Sequence, residues 1–424
     1  MGGGEMRYKV KDLKLASKGR RMIEWAEHHM PVLMTIRHEF SRAKPLKGLT
    51  VGAALHVEAK TAALVRALVA AGAKVAITSC NPLSTCDEVA SALAKEGINV
   101  YAWRGETTEE YYANLNRVLD SEPDILIDDG ADLISLVHTS RSELIPRIRG
   151  ASEETTTGVN RLRAMASEGK LRFPVIAVND SPAKRLFDNR FGTAESTLQA
   201  LMGITNTLIA GKRVVVVGYG FVGRGIASRA KGLGAAVSVV ESDAIKALEA
   251  VMDGFRVMRM RDAARVGDIF ITATGDVNVI RGEHMRLMRD GAILCNAGHF
   301  NVEIDIEGLA RLAVKRRKVL EDIEEFQLKD GRRLYLLAEG RLVNLAGRRS
   351  LGHPIEIMDM SFSLQALSVE HLAKRGRGLE SRVYDVPPEI DRRVAELKLK
   401  SLGVKLERLT REQVRYLRSW QLGT

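Results

Sequence analysis

The chain predicts an α/β protein built from two doubly wound parallel sheets, and three observations carry that prediction. Short Val- and Ile-rich runs alternate with amphipathic stretches that close on glycine; the alternation occurs twice, from 46 to 150 and again from 211; and the second cycle opens on a strand that runs directly into Gly218-Tyr219-Gly220-Phe221-Val222-Gly223. Apolar runs too short for helices, spaced by helical periodicity, are the mark of βαβ units on a parallel sheet.

In the first cycle LTVGAALHV, KVAITSC, INVYAW and PDILIDDG read as strands, and TAALVRALVAAG, DEVASALAKEG and TEEYYANLNRVL as the helices between them. In the second, KRVVVV, AAVSVVES, DIFITAT and GAILCNAG are strands and GRGIASRAKGLG is a helix. No short repeat or low-complexity linker separates the cycles, so the boundary near 190 is placed where the second one begins. Beyond about 350, SFSLQALSVEHLAKRG reads as a helix, and the last forty residues give two short amphipathic helices of the kind that pack on another subunit.

Composition removes several classes. With 424 residues, 45% hydrophobic, 28% charged and only ten prolines, the chain is a folded multi-domain protein and not a disordered tail. Three cysteines, Cys80, Cys86 and Cys295, form no CxxC pair, so neither a disulfide scaffold nor a metal site is expected, and a reducing cytoplasm fits. The N-terminus lacks the apolar core of a secretion signal, and no run approaches the roughly 18 apolar residues of a membrane span. The net charge of +11 is spread among acids, with AVKRRK the one short basic cluster, so neither a nucleic-acid nor a membrane partner is expected. Glutamine occurs only at 199, 327, 365, 413 and 421 among many charged residues, a composition that leans towards heat adaptation.

The glycine motif stands where a dinucleotide needs it. Gly218 permits the tight turn, Gly220 lets backbone approach a pyrophosphate, Gly223 lets helix and strand pack, and Phe221 and Val222 between them are expected to contact the cofactor. Glu241 lies 241 − 218 = 23 positions past the first glycine, at the end of the next strand, where a carboxylate accepts ribose hydroxyls and repels a 2′-phosphate. NAD is therefore expected over NADP. FAD proteins usually carry this motif near the N-terminus, and here it is mid-chain.

Polar residues also gather at strand ends and turns of the first cycle: His56, Asp128-Asp129-Gly130, Ser152 to Gly158, and Asn179-Asp180 followed by Lys184, Asp188 and Asn189. Each has an ordinary reading, as a half-buried histidine, a turn, a helix cap or an exposed ion pair. Lys184 preceding Asp188 by four positions is the less favourable order for the last of these.

Their order and wording resemble one family, the S-adenosylhomocysteine hydrolases. The likeness runs from about residue 5 to 424 and rests on AALHVEAKTA, SCNPLSTCD, DDGADL, GASEETTTGVNRL, VNDSPAKRLFDNRFGTAES, NAGHFNVEID, GRLVNL and GHPIEIMDMSF. The resemblance implies two Rossmann-like domains, with the NAD domain (189–348) inserted between two pieces of the substrate domain (1–188 and 349–385) and a C-terminal oligomerisation tail (386–424). It implies reversible hydrolysis of S-adenosyl-L-homocysteine to adenosine and homocysteine by 3′-oxidation, elimination, water addition and re-reduction, with one tightly bound NAD per subunit.

The resemblance also implies roles. Lys184 with Asp188 would handle the 3′-hydroxyl proton, a lysine serving as base if burial lowers its pKa towards neutrality. Glu154 would accept from the ribose hydroxyls; Asp129, His56 and His299 would share the proton transfers at C4′ and C5′, in no assigned order. Thr155, Thr156, Thr157, Asn189, Ala297, Gly298, His299 and Asn344 would contact NAD, and His353 and Met358 would line the purine pocket. A homotetramer or dimer is implied.

Departures from the family pattern bear on these roles. Thr193 replaces a common cysteine, Phe221 a common Asp and Asn301 a common Asp; the loop between Asn344 and His353 is about two residues longer, and the chain lacks the usual C-terminal Lys and Tyr. Lys60 stands where an acceptor for the adenine 6-amino group is usual, and Glu58 stands two positions earlier. A donor-only lysine suits the 6-oxo group of hypoxanthine, which makes S-inosyl-L-homocysteine the alternative substrate; with Lys60 turned to solvent, Glu58 would serve adenine. An ordinary NAD-dependent hydroxy-acid dehydrogenase needs neither EETTTG nor the 184–189 cluster, and a non-catalytic nucleotide- or RNA-binding protein is suggested by charge alone.

Overall fold

The computed structural model describes residues 8–421. In chain order its strands are β1 (Tyr8–Val10), β2 (Thr50–Ala54), β3 (Lys74–Thr78), β4 (Asn99–Ala102), β5 (Ile125–Asp128), β6 (Gly150–Glu153), β7 (Val175–Ala177), β8 (Arg213–Val217), β9 (Ala236–Val240), β10 (Arg256–Val257), β11 (Ile269–Thr272), β12 (Ile293–Asn296), β13 (Ala313–Leu320), β14 (Ile323–Leu328), β15 (Arg333–Leu337) and β16 (Val383–Asp385). They form two eight-stranded sheets, ordered β1-β4-β3-β2-β5-β6-β7-β16 and β10-β9-β8-β11-β12-β15-β14-β13. The first is parallel throughout; the second is parallel from β10 to β15 and antiparallel at β14 and β13.

The eight strands expected from the Val- and Ile-rich runs all form, and helices Ala59–Ala70, Asp87–Lys95, Thr108–Leu119 and Phe221–Gly232 lie between them. Beyond those eight strands, three unforecast features shape the sheets and the site. Strand β16 returns to the first sheet beside β7, the hairpin β13–β14 extends the second, and Arg185–Gly192 winds as a π-helix, a rare geometry that redirects side chains. The basic AVKRRK cluster lies on exposed edge strand β13, where Arg316 and Arg317 pair with Glu324 and Glu325 of β14.

Strand order reverses between β2 and β5 in the first sheet and between β8 and β11 in the second. In an open α/β sheet such a reversal parts the loops beyond the carboxyl ends and leaves a crevice. Both crevices open onto one cavity of about 880 Å³ that is lined from the two sheets. Helix Ile355–Arg375 supplies its third wall, and its apolar residues join the same core as Val51, Leu64 and Ile77 of the first sheet and its helices.

The C-terminal segment divides in two. Helix Pro388–Ser401 is part of the body: Val394 is buried, Asp391 accepts from the Ala183 N–H (3.0 Å), and Lys398 pairs with Asp359 (3.0 Å). Beyond it Leu402, Val404, Leu406, Leu409, Tyr416, Leu417 and Trp420 are exposed, with a second short helix at Arg411–Leu417. Among the described residues no helix is long and apolar enough to cross a membrane.

Candidate active site

Two groups of titratable side chains face each other across the cavity. The first grows from the ends of β2, β3 and β5. His56 follows β2 and places Nε2 3.4 Å from Asp129 Oδ2, while Asp129 Oδ1 lies 3.5 Å from His299 Nδ1. Asp129 therefore stands between a histidine of the first sheet and one carried on the loop after β12. Cys80, beyond β3, joins them: its Sγ is 3.3 Å from His56 Nδ1 and 3.6 Å from Asp129 Oδ2. Ser84 Oγ bonds the same Nδ1 at 2.7 Å. Burial pushes His56 down to about 4, against the pull of Asp129, so the ring is neutral at physiological pH.

The second group lies just after β6 (Glu154), at and just before the π-helix (Asp188 and Lys184), and is backed by helix Ile355–Arg375. Lys184 Nζ donates to the Glu154 backbone carbonyl (2.8 Å), Asn189 Oδ1 (2.9 Å) and Asn179 Oδ1 (3.3 Å), and stands 3.6 Å from carboxylate oxygens of both Asp188 and Glu154. The sequence expectation that burial lowers this lysine towards neutrality is not met. Burial does act downward, but Asp188 and Glu154 outweigh it and hold the ammonium above its ordinary value. Burial opposes charge on Asp188 too, yet His353 and Lys184 keep it ionised far below the usual range. Glu154 is pushed up to about 7 by burial, against Lys184.

Helix Ile355–Arg375 explains several orientations. Ser361 donates to Asp188 Oδ2 (2.8 Å), and Gln365 Nε2 donates to Glu154 Oε2 (2.5 Å). Ser361 and Gln365 lie four apart on one helix face and back the two carboxylates, while Met358 and Phe362 of the same helix line the cavity itself. His353, just before the helix, pairs through Nδ1 with Asp188 (3.0 Å) and meets Thr193 Oγ1 at 3.1 Å through Nε2. Thr193 thus supports His353 where a cysteine was usual, and the longer loop still closes, Gly352 N–H donating to the Asn344 carbonyl (2.9 Å).

The description "S-adenosyl-L-homocysteine hydrolase" matches residues 7–144, and "S-adenosyl-L-homocysteine hydrolase, NAD binding domain" matches residues 189–350. A protein of Methanopyrus kandleri named S-inosyl-L-homocysteine hydrolase is 62% identical over 99% of this chain and 99% of its own length. A protein of Pyrococcus abyssi named adenosylhomocysteinase is 60% identical over 98% of each chain. One of Methanothermobacter thermautotrophicus, named S-inosyl-L-homocysteine hydrolase, is 58% identical over 99% of this chain and 100% of its own.

The chain belongs to the S-adenosyl-L-homocysteine hydrolase family. It is a hydrolase that uses NAD. The second sheet fits that cofactor. Gly218 has φ +98°, and a Cβ there would lie 2.7 Å from the Ala273 carbonyl oxygen; at Gly223 it would lie 1.9 Å from that of Gly218, so both glycines are required by backbone packing. A Cβ on Gly220 would meet nothing within 4 Å and would project into the cavity, at the start of helix Phe221–Gly232, where free N–H groups attract a pyrophosphate. Glu241 lines the same wall, its carboxylate accepting from the N–H groups of Tyr219 (2.7 Å), Ser242 (2.7 Å) and Asp243 (2.9 Å).

Every site residue expected from the sequence lines this cavity except Gly223 and Asn344. Gly223 serves packing, as its clearance shows. Asn344 is fully buried, donates to Ser196 Oγ (3.1 Å) and has an Oδ1 with no partner; it lies behind the wall, not on it, because the short helix Val343–Ala346 turns Leu345 to the cavity instead.

Sequence reasoning missed Cys80, Ser84, Ser361 and Gln365. The last two were findable as polar residues four apart within an apolar helix. Cys80 was not, lying 24 positions from His56 and 49 from Asp129. Ligand-type atoms of His56, Cys80 and Asp129 fall within 4.8 Å of one another, a grouping that a count of CxxC pairs does not reveal.

Proposed function

We propose that this enzyme hydrolyses the thioether of S-adenosyl-L-homocysteine to adenosine and homocysteine, through oxidation at C3′, elimination across C4′–C5′, addition of water and re-reduction. The carrying observation is that one cavity brings the Lys184–Asp188–Glu154 group and the His56–Asp129–His299 group together opposite the Gly220 wall. NAD held along Gly218, Gly220 and Glu241 would supply the reversible hydride chemistry that C3′ needs.

The chain's own residues supply the proton transfers. Lys184, with three acceptors around Nζ, exchanges a proton with the 3′-hydroxyl, while Asp188, fixed by Ser361 and His353, holds it in place. Glu154 orients the ribose. Neutral His56 and its partner Asp129 serve C4′ and C5′ with His299 opposite. Thr155, Thr156, Thr157 and Asn189 face the cofactor from the substrate side, which keeps it in place through the cycle and water out of it.

Full-length relatives from Pyrococcus abyssi and Archaeoglobus fulgidus named adenosylhomocysteinase support adenine. The second reading, S-inosyl-L-homocysteine, is favoured by Lys60. Its side chain does not turn to solvent: it is buried, with Nζ donating to the Leu351 carbonyl (2.8 Å) and pairing with Glu58 Oε2 (2.9 Å). Glu58 is occupied in capping helix Ala59–Ala70 through the N–H groups of Lys60 and Thr61, so the free polar function is the third N–H of Lys60, a donor.

Purified protein given S-adenosyl-L-homocysteine and no added NAD should release free thiol catalytically without net NADH. Release from neither thioether would overturn the reading. The ratio of kcat/KM for the adenosyl and inosyl substrates, in wild type and Lys60→Glu, decides the base: an unpaired buried polar group is expected to weight it by about 5- to 150-fold. We further infer the four-part division at 188, 348 and 385, a cytoplasmic location, and a homotetramer or dimer joined by the exposed apolar residues beyond 401.

A further inference from the structure

The string SEETTTG contains two acids, and only Glu154 faces the cavity. Glu153, the last residue of β6, is fully buried and lies in register with Asp128 of β5. Its Oε1 accepts two backbone N–H groups, from Gly130 at 2.9 Å and Thr155 at 3.0 Å. Those are the residues immediately after Asp129 and Glu154. One buried oxygen therefore ties together the two loops that carry the two acids.

Two glycines confirm how tightly the tie is built. A Cβ on Gly158, the glycine that ends the string, would fall 2.2–2.5 Å from the Glu153 carboxyl atoms, so that position must be bare for Glu153 to reach across. A Cβ on Gly130, at φ +110°, would fall 2.4 Å from His299 Nε2. Gly130 is thus gripped from behind by Glu153 and pressed against His299 in front, and Asp129 is held between.

We propose that Glu153 is a positioning residue that fixes Asp129 and Glu154 relative to one another by holding the Gly130 and Thr155 N–H groups, with Gly158 as its required clearance. It acts as a neutral carboxylic acid: burial, with Asp128 and Asp129 as neighbours, pushes it well above the carboxylate range, since adjacent buried carboxyls do not all ionise. Asp128 is not an alternative holder, because its Oδ1 and Oδ2 are taken by the N–H groups of Asp129 (3.0 Å) and Ile134 (2.8 Å).

This rests on the roles proposed for Asp129 and Glu154, and the test separates the two. Holoenzyme is compared as wild type, Glu153→Gln, Glu153→Leu and Gly158→Ala. Gln keeps the accepting oxygen and mimics the neutral acid; Leu removes the oxygen; Ala at 158 displaces the carboxyl group without touching it chemically. Expected are kcat within about 3-fold of wild type for Glu153→Gln, and kcat lowered about 10- to 100-fold for the other two with bound NAD at full stoichiometry, the scale of a catalytic group misplaced by about 1 Å. Amide exchange at Gly130 and Thr155 should quicken in Glu153→Leu and not in Glu153→Gln. Should Glu153→Leu fail to fold, Gly158→Ala and Glu153→Gln carry the comparison. The proposal is overturned by unchanged kcat in Gly158→Ala, by a Glu153→Gln enzyme as impaired as the others, or by unchanged exchange at both amides in Glu153→Leu or, should that variant not fold, in Gly158→Ala. A wild type that releases no thiol while exchange still responds to Glu153 would sink the assigned reaction and leave the tie standing.

Discussion

The carboxyl ends of the two sheets are made of opposite materials. The first buries titratable groups: Asp129, Glu154, Lys184 and Asp188 are buried and His56 is partly so, each paired within its own group. The second offers room and backbone dipoles: Gly218, Gly220 and the helix start at Phe221, with Glu241 only partly buried. The difference suits the tasks proposed for the two sides. Moving protons needs groups whose pKa values are driven apart by burial and neighbours, whereas holding a dinucleotide needs open space and oriented N–H groups. One device is common to both. Glu303 holds the Thr274 and Gly275 N–H groups (2.9 Å each) beside Gly298, where a Cβ would lie 1.7 Å from its Oε1, just as Glu153 holds Gly130 and Thr155 beside Gly158.

The sharpest way to break this contrast is to remove charge from the first side. Lys184→Ala should abolish the absorbance of bound NADH that appears when substrate is added, and His56→Ala should keep that absorbance but release little thiol, each losing about 10²–10⁴-fold in turnover. A Lys184→Ala enzyme that reduces its NAD at the wild-type rate would remove the assignment of Lys184 to the 3′-hydroxyl proton.

Filling space on the second side should act on the cofactor and not on protons. Gly220→Val places carbon where the cavity is open, and the purified protein should lose NAD by at least about tenfold in occupancy while its thermal unfolding changes little. Full NAD content in that variant would show that the pyrophosphate lies elsewhere.

Removing residues 402–424 tests the exposed apolar tail without cutting helix Pro388–Ser401, whose Asp391 and Lys398 bind the body. The expected result is a smaller particle by light scattering and faster NAD loss; unchanged size with full NAD would place the subunit contacts elsewhere.

The smallest effect is on stability. His56 titrates near 4 when folded against about 6.5 unfolded, so the unfolded chain binds more protons between those values. Its contribution is full above pH 6.5 and is lost as pH falls towards 4, by about 3 kcal/mol at most. His56→Asn should show a correspondingly flatter decline in denaturant midpoint across that window, and parallel curves would contradict the depressed titration.

Much of this was legible in the chain because it is written locally. A parallel strand buried on both faces is a run of Val and Ile, a helix is a spacing of three and four, and a dinucleotide turn is three glycines. Edge strand β13 and its neighbour β14 carried too many charges to stand out, since they lie at the exposed margin of the sheet. Strand β16 is only three residues, and its partner β7 lies about two hundred positions earlier.

By itself, then, the sequence determined the two α/β cycles, the cofactor wall and the family strings that name most cavity residues, because each is encoded in neighbours along the chain. Only the tertiary structure decided the electrical state of those residues. Whether Lys184 is acid or base depends on Asp188 and Glu154 within 3.6 Å, and whether His56 is neutral depends on the burial imposed by β3 and β5 beside it. The same holds for Cys80 beside His56, Gln365 on Glu154, and Glu153 across two loops. Burial and charge fall off with distance in space, and no spacing along the chain records them.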